Sequence, residues 1–232
     1  MNIAIIPARG GSKRIPRKNI RDFCGQPMIA WTIKALRESG SIDRIIVSTE
    51  DDEVAEVSTA LGAEVPFRRP LELADDHTAT LPVVAHAVRE LKAQGWKLDQ
   101  VCCAYATAPL LDANDIRLAA SQLGEFGANY VFSCTTFAFP VQRALVQDET
   151  GRVAAMFPGF IGKRSQDLTP AFHDAGQFYW GMPAAFERQD PIFAPHSCPF
   201  FLPRHRVQDI DTEEDWTRAE LLFRTFRKET SL

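Results

Sequence analysis

The fold of this chain is decided by the stretch IAIIPARGGSKRIPRKN, residues 3–19. Its apolar first residues predict a buried strand, and Pro7 ends the pairing because proline has no backbone N–H to donate to a neighbouring strand. In the loop that follows, Gly10 and Gly11 allow backbone conformations that other residues resist, so several N–H groups can converge on one anion. Glycines directly after a first buried strand are typical of phosphate sites in α/β folds.

The same loop carries a concentration of positive charge. No acidic residue interrupts its six cations, which are Arg9, Lys13, Arg14, Arg17, Lys18 and Arg21. Their mutual repulsion is relieved when a polyanion neutralises them, so the loop predicts a triphosphate ligand. The spacing matches neither Gly-x-x-x-x-Gly-Lys-Ser/Thr nor Gly-x-Gly-x-x-Gly, which removes the main support for a P-loop ATPase or a dehydrogenase.

Composition excludes several other classes. The chain has 232 residues, a formal net charge of −4 and a pI near 5.8, so a general nucleic-acid-binding protein, which needs a broad basic surface, is not expected. No signal peptide or bilayer-spanning apolar run is evident, which predicts no membrane partner and a cytoplasmic location. The five cysteines form no Cys-x-x-Cys pair and are expected to be reduced rather than to bind zinc.

Apolar periodicity predicts alternating strands and helices. Strands are expected over residues 42–48, 63–67, 99–105, 130–134 and 177–180, and helices over 26–39, 52–61, 81–94 and 112–123. Asp51 or Asp52, and later Asp112, are expected to cap helix N-termini. Strand–helix–strand order predicts a single three-layer α/β domain over 1–232 with a mainly parallel sheet.

Two acidic residues near the C-terminus predict a metal site. Residues 207–211 read as a strand that places Asp209 and Asp211 on one face, because side chains alternate. Such a pair is unfavourable unless a cation lies between the two, and Mg²⁺ prefers carboxylate and phosphate oxygens. The spacing supports equally well an alternative in which Asp211 is the N-cap of the helix that follows and Asp209 is a surface acid.

The loop resembles a known signature. Ala8-Arg9-Gly10-Gly11-Ser12-Lys13, followed by Ile15-Pro16 and Lys18-Asn19, is similar to that of the CMP-sialic acid synthetase family, cytidylyltransferases that activate nine-carbon acidic sugars as CMP esters. The resemblance implies a Rossmann-like nucleotidyltransferase fold with CTP and a nonulosonic acid as substrates. It also implies a nucleotide site formed by Ala8, Arg9, Gly10, Gly11, Ser12, Lys18, Asn19, Arg69 and Ala79. Within it, Arg9 and Lys18 would hold the triphosphate, Arg69 would contact the cytosine and Ala79 would line the base pocket.

A second group of residues is expected to bind the sugar. Where sialic acid enzymes carry a glutamine that touches the sugar, this chain has Tyr105. His173, Asp174 and Gln177 are candidates for binding the sugar's hydroxyl and amide groups. The run 173–180, together with Arg14 in place of a usual glycine, is similar to the pseudaminic acid branch of the family. CMP-sialic, CMP-legionaminic and CMP-Kdo synthesis remain alternatives, as does a CTP-binding regulator without catalysis.

A hairpin is predicted further along the chain. Two alternating segments within 141–157 flank Asp148-Glu149-Thr150-Gly151, a strong turn signal. The resemblance implies that an inserted arm over about 138–172 forms a homodimer. It also implies in-line attack of the sugar hydroxyl on CTP, with Mg²⁺, Arg9 and Lys18 neutralising charge. Either Asp211 or a hydroxide on the metal would take the proton.

Overall fold

The protein is described from a computed structural model that covers residues 1–229. The last three residues of the domain expected over 1–232 lie outside this range. The strands are β1 (Asn2–Pro7), β2 (Asp22–Phe23), β3 (Gln26–Pro27), β4 (Arg44–Ser48), β5 (Gln100–Ala104), β6 (Tyr130–Thr136), β7 (Leu145–Gln147), β8 (Val153–Ala155), β9 (Phe172–Gly181) and β10 (Ser197–Phe201). The helices are α1 (Met28–Glu38), α2 (Asp52–Ala60), α3 (Thr80–Ala93), α4 (Ala113–Phe126), α5 (Pro183–Arg188) and α6 (Glu213–Glu229). None of these helices is long and apolar enough to cross a membrane.

Six strands form the central sheet in the order β10-β6-β9-β5-β1-β4. Only β9 within it runs antiparallel to its neighbours. Both faces are covered: Ala4 packs in a core cluster with residues of α1 and α4, whereas Ile5 packs in another with residues of α3 and α5. This confirms the predicted α/β fold with a mainly parallel sheet, and it explains the continuous apolar run of β1, which is buried on both sides.

A third, smaller cluster attaches α6 to the loop that follows β1. Ile15 and Phe23 pack there against Trp216 and Phe223, with the Phe23 and Trp216 ring centroids 5.3 Å apart. This packing holds the segment before α6 next to the glycine-containing loop. The two ends of the chain are thereby brought to one place.

Three sequence predictions differ from the structure. Residues 207–211 form no strand, although Ile210 is buried, because none of the described strands pairs with this segment. The strand expected at 63–67 is reduced to one bridge between Glu64 and Ile46. Residues 197–201, where no strand is predicted, form β10, and Pro199 is tolerated because β10 is an edge strand.

The predicted hairpin is present as the antiparallel pair β7–β8. Asp148 closes its turn by accepting backbone hydrogen bonds from Thr150 and Arg152, both at 2.9 Å. Leu145 and Val153 are 62% and 75% exposed. The hairpin therefore projects apolar side chains into solvent, and its role in dimerisation remains a prediction.

Candidate active site

A cavity of about 960 Å³ lies where β1 and β5 end. It is bounded by the loop after β1, by Tyr105 and the two residues after it, by the first half of β9 and by residues 207–211. Parallel strands present their carboxyl ends at one edge of the sheet, which is where open α/β sheets bind ligands. The cavity is therefore the candidate active site.

Most of the predicted site residues meet in this cavity. Those that line it are Arg9, Ser12, Lys18, Asn19, Arg69, Tyr105, His173, Asp174, Asp209 and Asp211. The structure does not bring Gln177 there: its side chain is buried and its amide donates to the Arg206 carbonyl at 2.5 Å. Ala79 is the N-cap residue of α3 and lies between two lining residues, Thr78 and Thr80.

Gly10 has a steric role that the sequence alone did not indicate. Neither Gly10 nor Gly11 has a positive φ, so backbone freedom is not their reason. A Cβ on Gly10 would lie 2.2 Å from Asp51 Oδ2, which only glycine avoids. The Gly10 N–H donates to Glu50 Oε1 at 2.8 Å, whereas a Cβ on Gly11 would meet nothing.

Asp51 holds the loop after β1 in place. It caps α2 by accepting from the Val54 N–H at 2.9 Å, as the sequence predicts, and it also receives both terminal nitrogens of Arg17 at 2.7 and 2.9 Å. The hydrogen bond from Arg17 lowers the pKa of Asp51 to about 2. Arg17, one of the six loop cations, thus points away from the cavity and stabilises the loop instead.

Carboxylates from distant segments meet the cations that do face the cavity. Asp76 accepts from Arg9 at 2.6 Å and also pairs with Lys13. Asp211 lies 2.7 Å from Arg14 and 3.4 Å from Lys18, whose ammonium also donates to the Ile210 carbonyl at 2.6 Å. These cations therefore lie within reach of one ligand.

Arg69 is held rigidly at the cavity wall. Its Nε donates to Ser48 Oγ at 3.2 Å, and its Nη2 donates to the Ser48 carbonyl. Burial lowers the pKa of Arg69 to about 10, so the guanidinium stays charged at neutral pH. A fixed donor set of this kind suits recognition of a flat polar group.

An aromatic wall closes the other side of the cavity. The Tyr105 hydroxyl lies 2.5 Å from Thr80 Oγ1, the Tyr105 and Tyr179 rings meet edge to face at 5.7 Å, and the Tyr179 hydroxyl donates to Asp174. Burial raises the pKa of Tyr105 to about 12 and also raises that of Tyr179. The sequence analysis did not identify Tyr179 or Thr80 as site residues. The one feature that could have indicated Tyr179 is its position inside the 173–180 run.

Residues other than Asp211 cap α6, so the Asp211 side chain lines the cavity instead. Thr212 Oγ1 accepts from the Asp215 N–H at 3.2 Å, and Asp215 Oδ2 accepts from the Thr212 N–H at 2.9 Å. This reciprocal arrangement is a capping box with aspartate in the place of the usual Glu or Gln. The alternative in which Asp211 is the N-cap is therefore wrong.

Asp209 and Asp211 together suit a hard cation. Surrounding protein atoms raise the pKa of Asp209, and the negative charge of Asp211 raises it further. A divalent ion would relieve this unfavourable pairing. Among the side chains described for residues 1–226, no three His, Cys, Asp or Glu residues converge as a complete metal site, so an ion here would complete its shell with water and substrate oxygens.

Comparison with known proteins agrees with this geometry. A family model described as "Cytidylyltransferase" matches residues 3–149. The chain is 45% identical to the "Pseudaminic acid cytidylyltransferase" of Campylobacter jejuni subsp. jejuni serotype O:23/36 (strain 81-176), covering 96% of each protein. It is 31% identical to "N-acylneuraminate cytidylyltransferase B" of Danio rerio, covering 94% of this chain and 50% of that protein.

Solved structures show the same fold. A CMP:2-keto-3-deoxy-manno-octonic acid synthetase complexed with CTP matches with a TM-score of 0.71 and 15% identity, over 97% of this chain and 98% of that one. A 4-diphosphocytidyl-2C-methyl-D-erythritol synthase matches with a TM-score of 0.66 and 15% identity, over 95% and 98%. At this identity the likeness concerns the fold alone, and the family assignment rests on the sequence relatives. The chain belongs to the cytidylyltransferase family, in the group that contains the pseudaminic acid enzymes.

Proposed function

We propose that this cytidylyltransferase transfers CMP from CTP to pseudaminic acid and releases pyrophosphate. The observation that carries the proposal is the meeting of Arg9 and Lys18 with Asp211 in one cavity, in a chain 45% identical to an enzyme of that name. Arg69 supplies a rigid donor set for the base, and the loop after β1 supplies cations for the triphosphate.

Neutralisation of the triphosphate is the main task of the chain's own residues. Arg9, Lys13, Arg14 and Lys18 turn from their carboxylate partners to the phosphates. The sugar's anomeric oxygen then bonds to the α-phosphorus while the bond from that phosphorus to the oxygen bridging the α and β phosphates breaks. Positioned cations that match the developing charge are the usual source of catalysis in such transfers.

The proton of the attacking hydroxyl needs an acceptor. Asp211 faces the cavity, and it loses its contacts with Arg14 and Lys18 once the phosphates take those cations. Asp211 accepts the proton in this proposal.

Mg²⁺ is the proposed cofactor. Asp209 and Asp211 would hold it together with phosphate oxygens and water. When bound, the ion supplies positive charge that neutralises the phosphates.

The sugar is placed against the aromatic wall. Asp174, oriented by the Tyr179 hydroxyl, accepts from amide N–H groups of the sugar, and Tyr105 and His173 lie beside it in the cavity lining. Gln177 is omitted from these contacts because its amide is bonded to Arg206.

The proposal also covers how the protein assembles and where it works. The arm over about 138–172 exposes Leu145, Val153 and Phe139, the last of them 83% exposed, and burial of these side chains against a second copy would form a homodimer. CTP is a cytoplasmic metabolite, so the enzyme is expected to work in the cytoplasm.

Pyrophosphate release tests the proposal. The purified protein is given CTP and Mg²⁺ with pseudaminic acid, N-acetylneuraminic acid, legionaminic acid or Kdo, one at a time, and each reaction is repeated with a chelator. Release with pseudaminic acid that the chelator abolishes supports the proposal. Release only with another acid would overturn the sugar assignment and keep the chemistry.

A further inference from the structure

Arg218, on α6, lines the same cavity and has no role in the reaction described so far. The other basic side chains of the cavity all have acceptors: Asp76 for Arg9 and Lys13, Asp211 for Arg14 and Lys18, and Ser48 for Arg69. Arg218 is exposed and, among the side chains described for residues 1–226, has neither a hydrogen bond nor a carboxylate at ion-pair distance. It is thus a cavity cation without a direct acceptor, although the charge of Asp215 on the same helix acts on it.

The neighbouring acid is already occupied. Asp215 lies three residues before Arg218, a spacing at which helical side chains of opposite charge commonly pair. Here Asp215 Oδ2 accepts from the Thr212 N–H, the Thr212 hydroxyl and the Asp211 N–H at 2.9, 2.8 and 3.2 Å, and Oδ1 accepts from Gln208 at 3.2 Å. Asp215 therefore acts on Arg218 through its charge alone, and the N–H groups of the Arg218 guanidinium remain available to a ligand.

The proposed substrate has a group that requires such a partner. In an acidic 2-keto sugar the carboxylate is attached to the same carbon as the reacting hydroxyl, so it must enter the cavity close to the α-phosphate. In the proposed complex Asp209 and Asp211 hold the metal ion at the triphosphate, and a third carboxylate brought next to them is repelled unless a cation faces it. Arginine matches a carboxylate with two parallel hydrogen bonds.

We propose that Arg218 binds the carboxylate of the acidic sugar, and this inference rests on the proposed function. The loop cations serve the triphosphate, whereas Arg218 reaches the cavity from α6, beyond the Asp209–Asp211 segment. It therefore sets the preference for acidic over neutral sugars. Its effect falls on sugar binding and leaves CTP binding unchanged.

Steady-state kinetics of Arg218→Gln tests this assignment. We expect the KM for the sugar to rise about 10- to 100-fold, as for loss of one charged hydrogen-bonded pair, with the KM for CTP within about twofold of wild type. Arg218→Lys should recover part of the loss. The matched control is Arg224→Gln, on the same helix but outside the cavity and paired with Glu220 at 3.2 Å, which should behave as wild type.

A substrate analogue separates binding from folding. With the sugar's carboxylate converted to a carboxamide, wild type should lose most of its kcat/KM, whereas Arg218→Gln should lose little more than it already has. An unchanged sugar KM in an active Arg218→Gln enzyme, or a rise in the KM for CTP instead, would overturn the inference. Failure of wild type itself to use any acidic sugar would overturn the proposed function, and the inference with it.

Discussion

Asp76 holds Arg9 at the mouth of the cavity: its Oδ1 accepts from Arg9 Nη1 at 2.6 Å, and its second oxygen pairs with Lys13. The backbone carbonyl of Asp75 also accepts from Arg9, at 2.8 Å. In the proposed complex the triphosphate takes the same two cations. The segment 71–79 would then compete with CTP for the loop after β1.

Removal of this competitor should strengthen nucleotide binding. We expect Asp76→Asn to lower the Kd for CTP about three- to tenfold at low salt, and the gain should shrink as salt screens the charges. Isothermal titration calorimetry at two ionic strengths measures the Kd for CTP of both proteins. Asp52→Asn is the control because Asp52 pairs with Arg68 outside the cavity. Weaker CTP binding by Asp76→Asn would show that the carboxylate organises the nucleotide site rather than opposing it.

Substitutions at Asp211 and Thr212 should have different effects on turnover and on thermal stability. Asp211→Asn should lower kcat at least about 100-fold, as expected for loss of a positioned base, with little change in Tm because Asp211 does not cap α6. Thr212→Ala removes the cap hydroxyl and should destabilise the protein by about 1 kcal/mol, with a smaller effect on kcat. Turnover and thermal unfolding of both variants are compared. A folded Asp211→Asn enzyme with near-normal kcat would exclude Asp211 from the mechanism.

The Asp51–Arg17 pair should make stability depend on acid pH. The pKa of Asp51 is lowered to about 2 in the folded protein, below its ordinary value, so the stabilisation is complete above about pH 4 and is lost as the pH falls through 2. Asp51→Asn keeps a capping side chain but lacks the charge. Urea unfolding should give a difference from wild type of about 2 kcal/mol at pH 6 and roughly half of that at pH 3. A difference that does not change with pH would show that the charge of Asp51 is not responsible.

Tyr105 should affect the choice of sugar. Tyr105→Gln breaks the contact with Thr80 and should lower kcat/KM for pseudaminic acid more than for N-acetylneuraminic acid, while the KM for CTP stays the same. Tyr130→Phe is the control, because the buried Tyr130 hydroxyl has no hydrogen-bond partner among the described residues and lies outside the cavity lining. Equal losses on both sugars would remove Tyr105 from the determinants of specificity.

Local patterns predicted the framework of this fold well. The apolar run of β1 and the helical periodicity of α1, α3 and α4 are properties of neighbouring residues, and the caps Asp51 and Asp112 were visible for the same reason. The predicted strand at 207–211 failed because alternation reports which side chains are buried and not whether a partner strand exists. There Ile210 packs with Leu110 and Trp216 beneath α6.

The partners of the site residues could not be predicted in this way. The contacts of Asp76 with Arg9 and of Asp211 with Arg14 join segments that are distant in sequence. No sequence pattern pointed to Arg218, because whether its guanidinium can bind a ligand depends on which groups the Asp215 oxygens accept hydrogen bonds from. The clash that requires glycine at position 10 likewise depends on the placement of Asp51.

A competition experiment tests the central claim most directly. Pseudaminic acid, N-acetylneuraminic acid, legionaminic acid and Kdo are mixed at equal concentrations with limiting CTP and Mg²⁺, and the CMP-sugars formed are separated and identified by mass and NMR, because the product ratio reports relative kcat/KM. The account predicts that CMP-pseudaminic acid dominates the products. Predominance of another CMP-sugar would contradict it.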